Sequence, residues 1–406
     1  MSRMSVLIGI VLTFCGYILY TPMPDGATEP WKQRTVLAGN KIFSTLASLG
    51  QFFGYDSKIN ITRAFIELGT VTGDSEHVVE IQDSVFHGVR VRLYKPTGSK
   101  RSSQGLVFFH GGGWVYMRPE SYDEFTIDVV KQTGIFVVSV DYRLAPENPY
   151  PAAFDDCVAA TEYLMENAQE FGVDASRIGI AGDSAGGNIA MAVALKLTKK
   201  SEMRLDLPKI RLLGLIYPGL QALDFRTPSY MQYGIEGSPC ALSKTTIVSF
   251  WLWYAQGDLR NLHDFEENRH VTSAIKSSVF TSYVSHSFLP EQYRGITDEL
   301  SKQEITGMPL PDRTIDRFID PYFAPLMASD VDLKQFPQTY IMTAEYDIFR
   351  DDGHMAAKRL ENNGVEVVHS HWPSVGHGFL VQYGFVNLES TKAARLEFSE
   401  YLKKKL

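Results

Sequence analysis

Ser184, Asp347 and His377 are the residue types that acyl transfer needs. A serine hydroxyl is a weak nucleophile until a base takes its proton, and that base must be oriented by a third group. Ser184 lies in Gly182-Asp183-Ser184-Ala185-Gly186, with Gly187 behind it. Such small neighbours permit the sharp strand-to-helix turn that lifts a serine out of a sheet. His377 lies in Gly376-His377-Gly378-Phe379, a turn between the last expected strand and the last helix. It follows the acid, as the order Ser…Asp…His requires. His369 and His371 are rivals inside the preceding strand, where a histidine is more often a satisfied structural group. Four acids crowd the loop before it: Glu345, Asp347, Asp351 and Asp352. Asp347 is closest past the carboxyl end of the strand at 338–343, where sheet-borne sites gather. Asp351 and Asp352 read instead as the cap of a helix beginning near His354.

The tetrahedral intermediate of acyl transfer also needs amide donors already in place, worth about 3 to 4 kcal/mol each. His110-Gly111-Gly112-Gly113-Trp114 supplies an unobstructed loop for this, the amides of Gly111 and Gly112 foremost, joined by the amide of Ala185 after the nucleophile. A helix-capping serine and an ordinary glycine turn are the bland readings. They lose because one motif sits between an expected strand and helix, and the other follows a core strand upstream of the serine. No metal or organic cofactor is needed.

The elements around these residues alternate. Apolar positions recur every three or four residues from Trp31 to about Asp74, which predicts helices. Val78–Tyr94 alternates as half-buried antiparallel strands do. Short apolar strands are expected at 105–109, 135–140, 177–181, 210–217, 338–343 and 365–371, with helices at 154–171, 188–199, 355–362 and 390–402. This predicts an α/β fold: a mainly parallel twisted sheet covered by helices on both faces, its first antiparallel strands at one edge. Between about 221 and 320 the alternation stops. An aromatic block with Phe250, Trp251, Trp253 and Tyr254 sits there in a loop-rich stretch, as expected of a cap over the site. Those aromatics suit cap core and acyl-pocket lining equally.

The chain of 406 residues is 44% hydrophobic and carries a formal charge of −8, so it has the means for a large core and no basic stripe for nucleic acid. Cys15, Cys157 and Cys240 form no metal-ligand spacing, and only the last two could pair. Met4–Tyr20 is almost wholly apolar and uncharged, at the short edge of the roughly 17 to 25 residues that span a bilayer. It reads as a retained anchor rather than a cleaved signal peptide, because the apolar run continues past the candidate cut near Thr13 and Cys15. Asn60-Ile61-Thr62 is a glycosylation sequon, useful if the body faces a lumen. The organisation expected is an anchor at 1–20, N-terminal cap helices at 21–75 and a catalytic domain at 76–406 with its cap insertion.

His110–Trp114, Asp141-Tyr142-Arg143-Leu144-Ala145-Pro146-Glu147 and Gly182–Gly187 together resemble the hormone-sensitive lipase branch of α/β-hydrolases. Tyr20–Asp25, Glu29-Pro30-Trp31, Leu289–Arg294, Ala324-Pro325-Leu326 and Tyr346–Gly353 narrow the likeness to the arylacetamide deacetylase and neutral cholesterol ester hydrolase group, over nearly the whole chain. The resemblance implies a single-pass, type II protein of the endoplasmic reticulum membrane with a lumenal catalytic body. It also implies hydrolysis of apolar carboxylic esters and aryl amides. Two departures stand out. The family often has Phe-His-Gly at the base, where this chain has Gly376-His377-Gly378. Some members pair a cysteine just after the glycine-loop tryptophan with one near the acid strand, and Val115 stands at the first of these positions. A lipid hydrolase acting on cholesteryl ester or acylglycerol is the neighbouring alternative. A non-catalytic receptor on the same fold is disfavoured because all three candidate triad residues are present.

Overall fold

The computed structural model describes residues 20–70, 78–98, 103–204, 207–235, 238–303, 314–381, 386 and 388–406, together with 6, 13 and 16. Most of the expected anchor, 1–20, lies outside these residues. Among the described residues, no helix is long and apolar enough to cross a membrane.

Eight strands form one sheet in the order β1-β2-β4-β3-β5-β6-β7-β8. Strands β1 (Val79–Phe86) and β2 (Val89–Pro96) make the antiparallel edge, and β2 pairs antiparallel with β4 (Phe136–Val140). From β4 through β3 (Gly105–Phe109), β5 (Ile178–Asp183), β6 (Leu212–Ile216), β7 (Gln338–Tyr346) and β8 (Val367–Gly376) every pairing is parallel. The central strands are short apolar runs with every residue buried, as two covered faces demand.

Alternation along β3 shows the layering. Val107 and Phe109 join one core, with α4 (Ala152–Glu166), α5 (Ala185–Met203) and α7 (Arg350–Asn362). Leu106 and Phe108 join the other, with α3 (Asp123–Thr133) and α8 (Glu389–Lys405). The α3 helix was not expected from sequence. Its apolar residues Phe125, Ile127, Val129 and Val130 follow neither the helical nor the strand period, because the helix is buried on more than one side and even Asp123 and Thr126 are enclosed. The expected helix at 154–171 ends at Glu166 and gives way to a separate 3₁₀ turn at Ala168–Phe171.

Between β6 and β7 the described residues hold no strand. They form short helices and turns around α6 (Lys244–Ala255). The N-terminal helices α1 (Pro30–Phe52) and α2 (Lys58–Gly69) lie at the same rim of the sheet. Gln33 Nε2 donates to the Ser374 carbonyl at 3.1 Å, near the end of β8. Arg63 donates to the carbonyls of Val115 and Ala145, both at 2.9 Å, and to both carboxylate oxygens of Glu147. Cys157 and Cys240 are buried and unpaired.

Candidate active site

The chain passes from β3 outward to β4 and then back across to β5, so the sheet changes direction between β3 and β5. Loops leaving the carboxyl ends of strands at such a point frame a crevice. Phe109 of β3 is level with Gly182 of β5, so the glycine loop and the serine turn leave adjacent strands side by side.

Ser184 has φ 54° and ψ −119°, a strained conformation for a residue with a side chain. Its amide donates to the Ile216 carbonyl at 2.9 Å, which holds the turn to β6. The glycines are obligatory. A Cβ on Gly182 would stand 2.3 Å from the Gly186 carbonyl oxygen, and one on Gly186 would stand 2.0 Å from that of Phe109. The backbone folds too tightly on itself for any other residue.

Parallel β7 and β8 end together, with Tyr346 paired to Gly376, so Asp347 and His377 are the next residues out from neighbouring strands. Asp347 is fully buried. Its Oδ1 accepts the Phe349 amide at 2.8 Å and its Oδ2 is 2.9 Å from His377 Nδ1. A carboxylate only accepts, so Nδ1 donates there, and Nε2 faces Ser184 Oγ at 2.9 Å. Rings of Tyr217 and Phe349 flank the imidazole at 4.9 and 5.5 Å. The three residues singled out in the sequence therefore meet in one hydrogen-bonded chain, with the serine and imidazole buried. His369 and His371 are held elsewhere, both 2.9 Å from Thr343 Oγ1.

The glycine loop differs in detail from the expectation. The Gly111 amide donates to Tyr122 Oη at 2.9 Å and so is already spoken for. The amides of Gly112, Gly113 and Ala185 have no protein acceptor among the described residues, which moves the candidate donor set one residue along. Positive φ at Gly112 (100°) and Gly113 (63°) makes this turn possible. His110 is a support rather than a donor. It is fully buried, burial lowers its pKa to about 4, and its Nδ1 lies 2.8 Å from the Gly111 carbonyl.

Several residues that hold this loop were not assigned a role from sequence. Tyr142 stacks on His110 at 4.2 Å and its hydroxyl donates to the His110 carbonyl at 2.6 Å. The Ala145 amide donates to the Trp114 carbonyl, Arg143 is paired with Asp156 of α4, and Glu147 receives Arg63 of α2. The run Asp141–Glu147 is thus a brace for the glycine loop, and its signal in the sequence was its adjacency to β4. Tyr122 passes the contact on, donating to Asp183 Oδ2 at 3.1 Å. Burial pushes the Asp183 carboxyl up to about 7.

From above, α6 closes on the loop. Trp114 stacks on Tyr254 at 4.7 Å and lies 4.5 Å from Trp251, and a Cβ on Gly113 would meet the Phe250 ring at 2.3 Å. Trp251, Tyr254 and Phe250 are buried. These three aromatics form core between the 244–255 helix and the glycine loop, whereas Trp253 of the same block is half-buried.

Asp351 and Asp352 are not helix caps. Helix α7 begins at Arg350 with Phe349 in the cap position. Asp351 accepts the Ser229 amide at 2.7 Å, and Asp352 accepts the Leu220 amide at 2.8 Å and the side chain of Gln221 at 3.2 Å. Both carboxylates tie the start of the cap to the acid-bearing end of the sheet. Among the described residues no cluster of side chains could hold a metal ion.

The architecture and the meeting of these side chains define an α/β-hydrolase, and the family model for that fold matches residues 106–279 and 296–381. The chain belongs to this family, within the arylacetamide deacetylase and neutral cholesterol ester hydrolase group, and is a carboxylic ester hydrolase. It is 35% identical to arylacetamide deacetylase of Mus musculus over 415 residues, covering the whole of both chains. It is 30% identical to neutral cholesterol ester hydrolase 1 of Bos taurus over 394 residues, or 94% of each. A solved thermostable esterase from Pseudomonas putida superposes with a TM-score of 0.64 at 25% identity, over 90% of this chain and 96% of that one.

Proposed function

We propose that the protein is a membrane-anchored serine carboxylesterase and deacetylase for apolar esters or aryl amides. The observation that carries the reading is the chain Ser184 Oγ–His377–Asp347 with both links at 2.9 Å. In the first half-reaction Ser184 Oγ attacks the substrate carbonyl carbon while His377 Nε2 takes its proton. The carbonyl oxygen becomes an oxyanion facing the amides of Gly112, Gly113 and Ala185. Collapse breaks the bond to the alcohol or amine, which leaves with the proton from His377. In the second half, His377 takes a proton from water, the hydroxide adds to the acyl-serine, and the acid departs as the proton returns to Ser184. Asp347 keeps the imidazole in the working tautomer and stabilises its cation.

Apolar substrates suit relatives named for arylacetamides and cholesterol esters. A lipid hydrolase acting on cholesteryl ester or acylglycerol is the second reading, favoured by the neutral cholesterol ester hydrolases at 30% identity. The same likeness, with the apolar run Met4–Tyr20, supports a single-pass type II anchor in the endoplasmic reticulum and a lumenal body. Asn60, exposed in the first turn of α2, is the candidate glycan site.

Ser184→Ala should abolish turnover of a short-chain nitrophenyl ester with the unfolding midpoint unchanged. Retained turnover removes the nucleophile assignment. The wild-type protein, run against esters of graded acyl length, a cholesteryl ester and an aryl acetamide, then separates the two substrate readings.

A further inference from the structure

Helix α1 carries apolar side chains on two sides, one buried and one exposed. Inward it buries Gln33, Leu37 and Ala47, and Ala38, one turn before Ile42, is also covered. Outward it carries Ile42, Leu46, Leu49 and Phe53, at steps of four, three and four residues, between 40 and 69% exposed; such steps trace one stripe along a helix. Phe43 lies beside the stripe, and Phe52 and Tyr55 extend its end at 81 and 84% exposed. Scattered apolar residues on a surface are ordinary, but a continuous stripe ending in bare aromatic rings marks a contact surface. No Asp or Glu occurs between Pro30 and Phe52, although the whole chain carries −8. No carboxylate on this helix would be driven into lipid headgroups.

The position of the stripe identifies its partner. The apolar run Met4–Tyr20 ends against the middle of α1. Lys41 Nζ donates to the Tyr20 carbonyl and to Thr21 Oγ1, each at 3.0 Å, and Arg34 Nε donates to the Thr21 carbonyl at 3.0 Å. Tyr20, the last residue of the run, is therefore held to Lys41, the residue before Ile42 at the start of the stripe. We infer that the exposed face of α1 is a second lipid-binding element, seated on the bilayer surface next to the point where the run enters it. Aromatic rings at the end of such a helix favour the headgroup–acyl boundary. Gln33 pins α1 to Ser374, three residues before His377, so seating the stripe also brings the catalytic rim close to apolar esters dissolved in lipid. This inference builds on the anchored reading above, yet the two can fail separately.

The test uses full-length protein in phosphatidylcholine–phosphatidylserine vesicles. In a Cys15→Ser background a nitrobenzoxadiazole label is placed at Phe52→Cys or, as a control on the body, at exposed Val331→Cys; Cys157 and Cys240 are buried. Brominated lipid should quench the label at 52 at least about twofold more than the label at 331, as expected of a ring at the acyl boundary. Leu46→Glu/Leu49→Glu should remove that difference while hydrolysis of a water-soluble short-chain ester is unchanged. Equal quenching of both labels by aqueous iodide overturns the inference. So does a label at 52 that neither quencher reaches, which would mean that protein, from this chain or a second copy, covers the stripe. A label on native Cys15 reads the anchor independently. Quenching by lipid at Cys15 without quenching at 52 sinks the stripe and keeps the anchor; the reverse keeps the stripe and removes the anchor.

Discussion

Tyr122 Oη joins the two halves of the candidate active site, accepting the Gly111 amide at 2.9 Å and donating to Asp183 Oδ2 at 3.1 Å. Asp183 immediately precedes Ser184, the proposed nucleophile, and Gly111 immediately precedes the open amides of the glycine loop. One phenol therefore ties the segment bearing the Ser184 hydroxyl to the loop bearing the proposed oxyanion donors. Tyr122→Phe would leave a buried amide and a buried carboxyl each short of a partner, at a cost of about 1 to 3 kcal/mol. Because the donors matter most in the transition state, kcat should fall about 10- to 100-fold with KM nearly constant. Steady-state kinetics on a short ester beside urea unfolding checks both parts. A lowered unfolding midpoint with unchanged kcat would assign Tyr122 to the core alone.

Gly112 offers a sharper probe of the shifted donor set. Its φ is 100°, and a Cβ there would lie 2.3 Å from the Tyr116 carbonyl oxygen. That neighbour is backbone, so Gly112→Ala must move the loop itself. Losing one aligned donor typically costs about 10²- to 10³-fold in kcat. The fold should survive, since the turn lies outside the strands. Gly111→Ala displaces Tyr122 and Asp183, both within 3.0 Å of the added atom, and should instead lower stability. Equal stabilities and equal rates for the two variants would refute the separation drawn between a bracing glycine and donor-bearing ones.

Much of this was legible in the sequence because the features concerned are local. Short apolar runs such as 105–109 and 212–216 appear as strands with every residue buried, and the serine turn depends on small residues within a few positions of it. Asp347 and His377 could be found because each lies one step past a strand end. What stayed hidden depends on distant partners. Whether Gly111 or Gly112 presents its amide is decided by Tyr122, eleven residues on. Asp351 and Asp352 look like helix-capping acids, yet they answer amides more than 120 residues away in sequence. Asp123 sits enclosed on α3 because Arg92 Nε and the Tyr94 hydroxyl, at 2.9 and 2.6 Å, supply its bonds, so the polar residue that blurs the helical pattern is paid for across the sheet.

Glu345, two residues before Asp347, predicts how the acid-bearing end of the sheet fails at low pH. Its carboxylate receives the Tyr233 hydroxyl at 3.0 Å, Arg350 Nη1 at 2.8 Å, His371 Nε2 at 3.2 Å and the Tyr293 hydroxyl. Burial alone would raise its pKa, but the hydrogen bonds from His371 and Tyr293 and the charge of Arg350 outweigh it and hold the group at about 2. A carboxyl whose folded pKa is depressed stabilises the fold above its unfolded value near 4.5, and that contribution is lost as pH falls toward 2. Fully expressed, such a shift would be worth about 3 kcal/mol; with the group partly open to solvent, about half of that is expected. Glu345→Gln should therefore unfold about 1 to 2 kcal/mol more easily than wild type at pH 7. The gap should narrow between pH 4.5 and pH 3, because there the unfolded wild-type chain takes up a proton at this carboxyl while the folded one, held at about 2, stays ionised. Urea unfolding of both proteins at pH 7, 5, 4 and 3 measures it. A difference that stays constant across that range would show that the carboxylate's charge does not secure this end of the sheet.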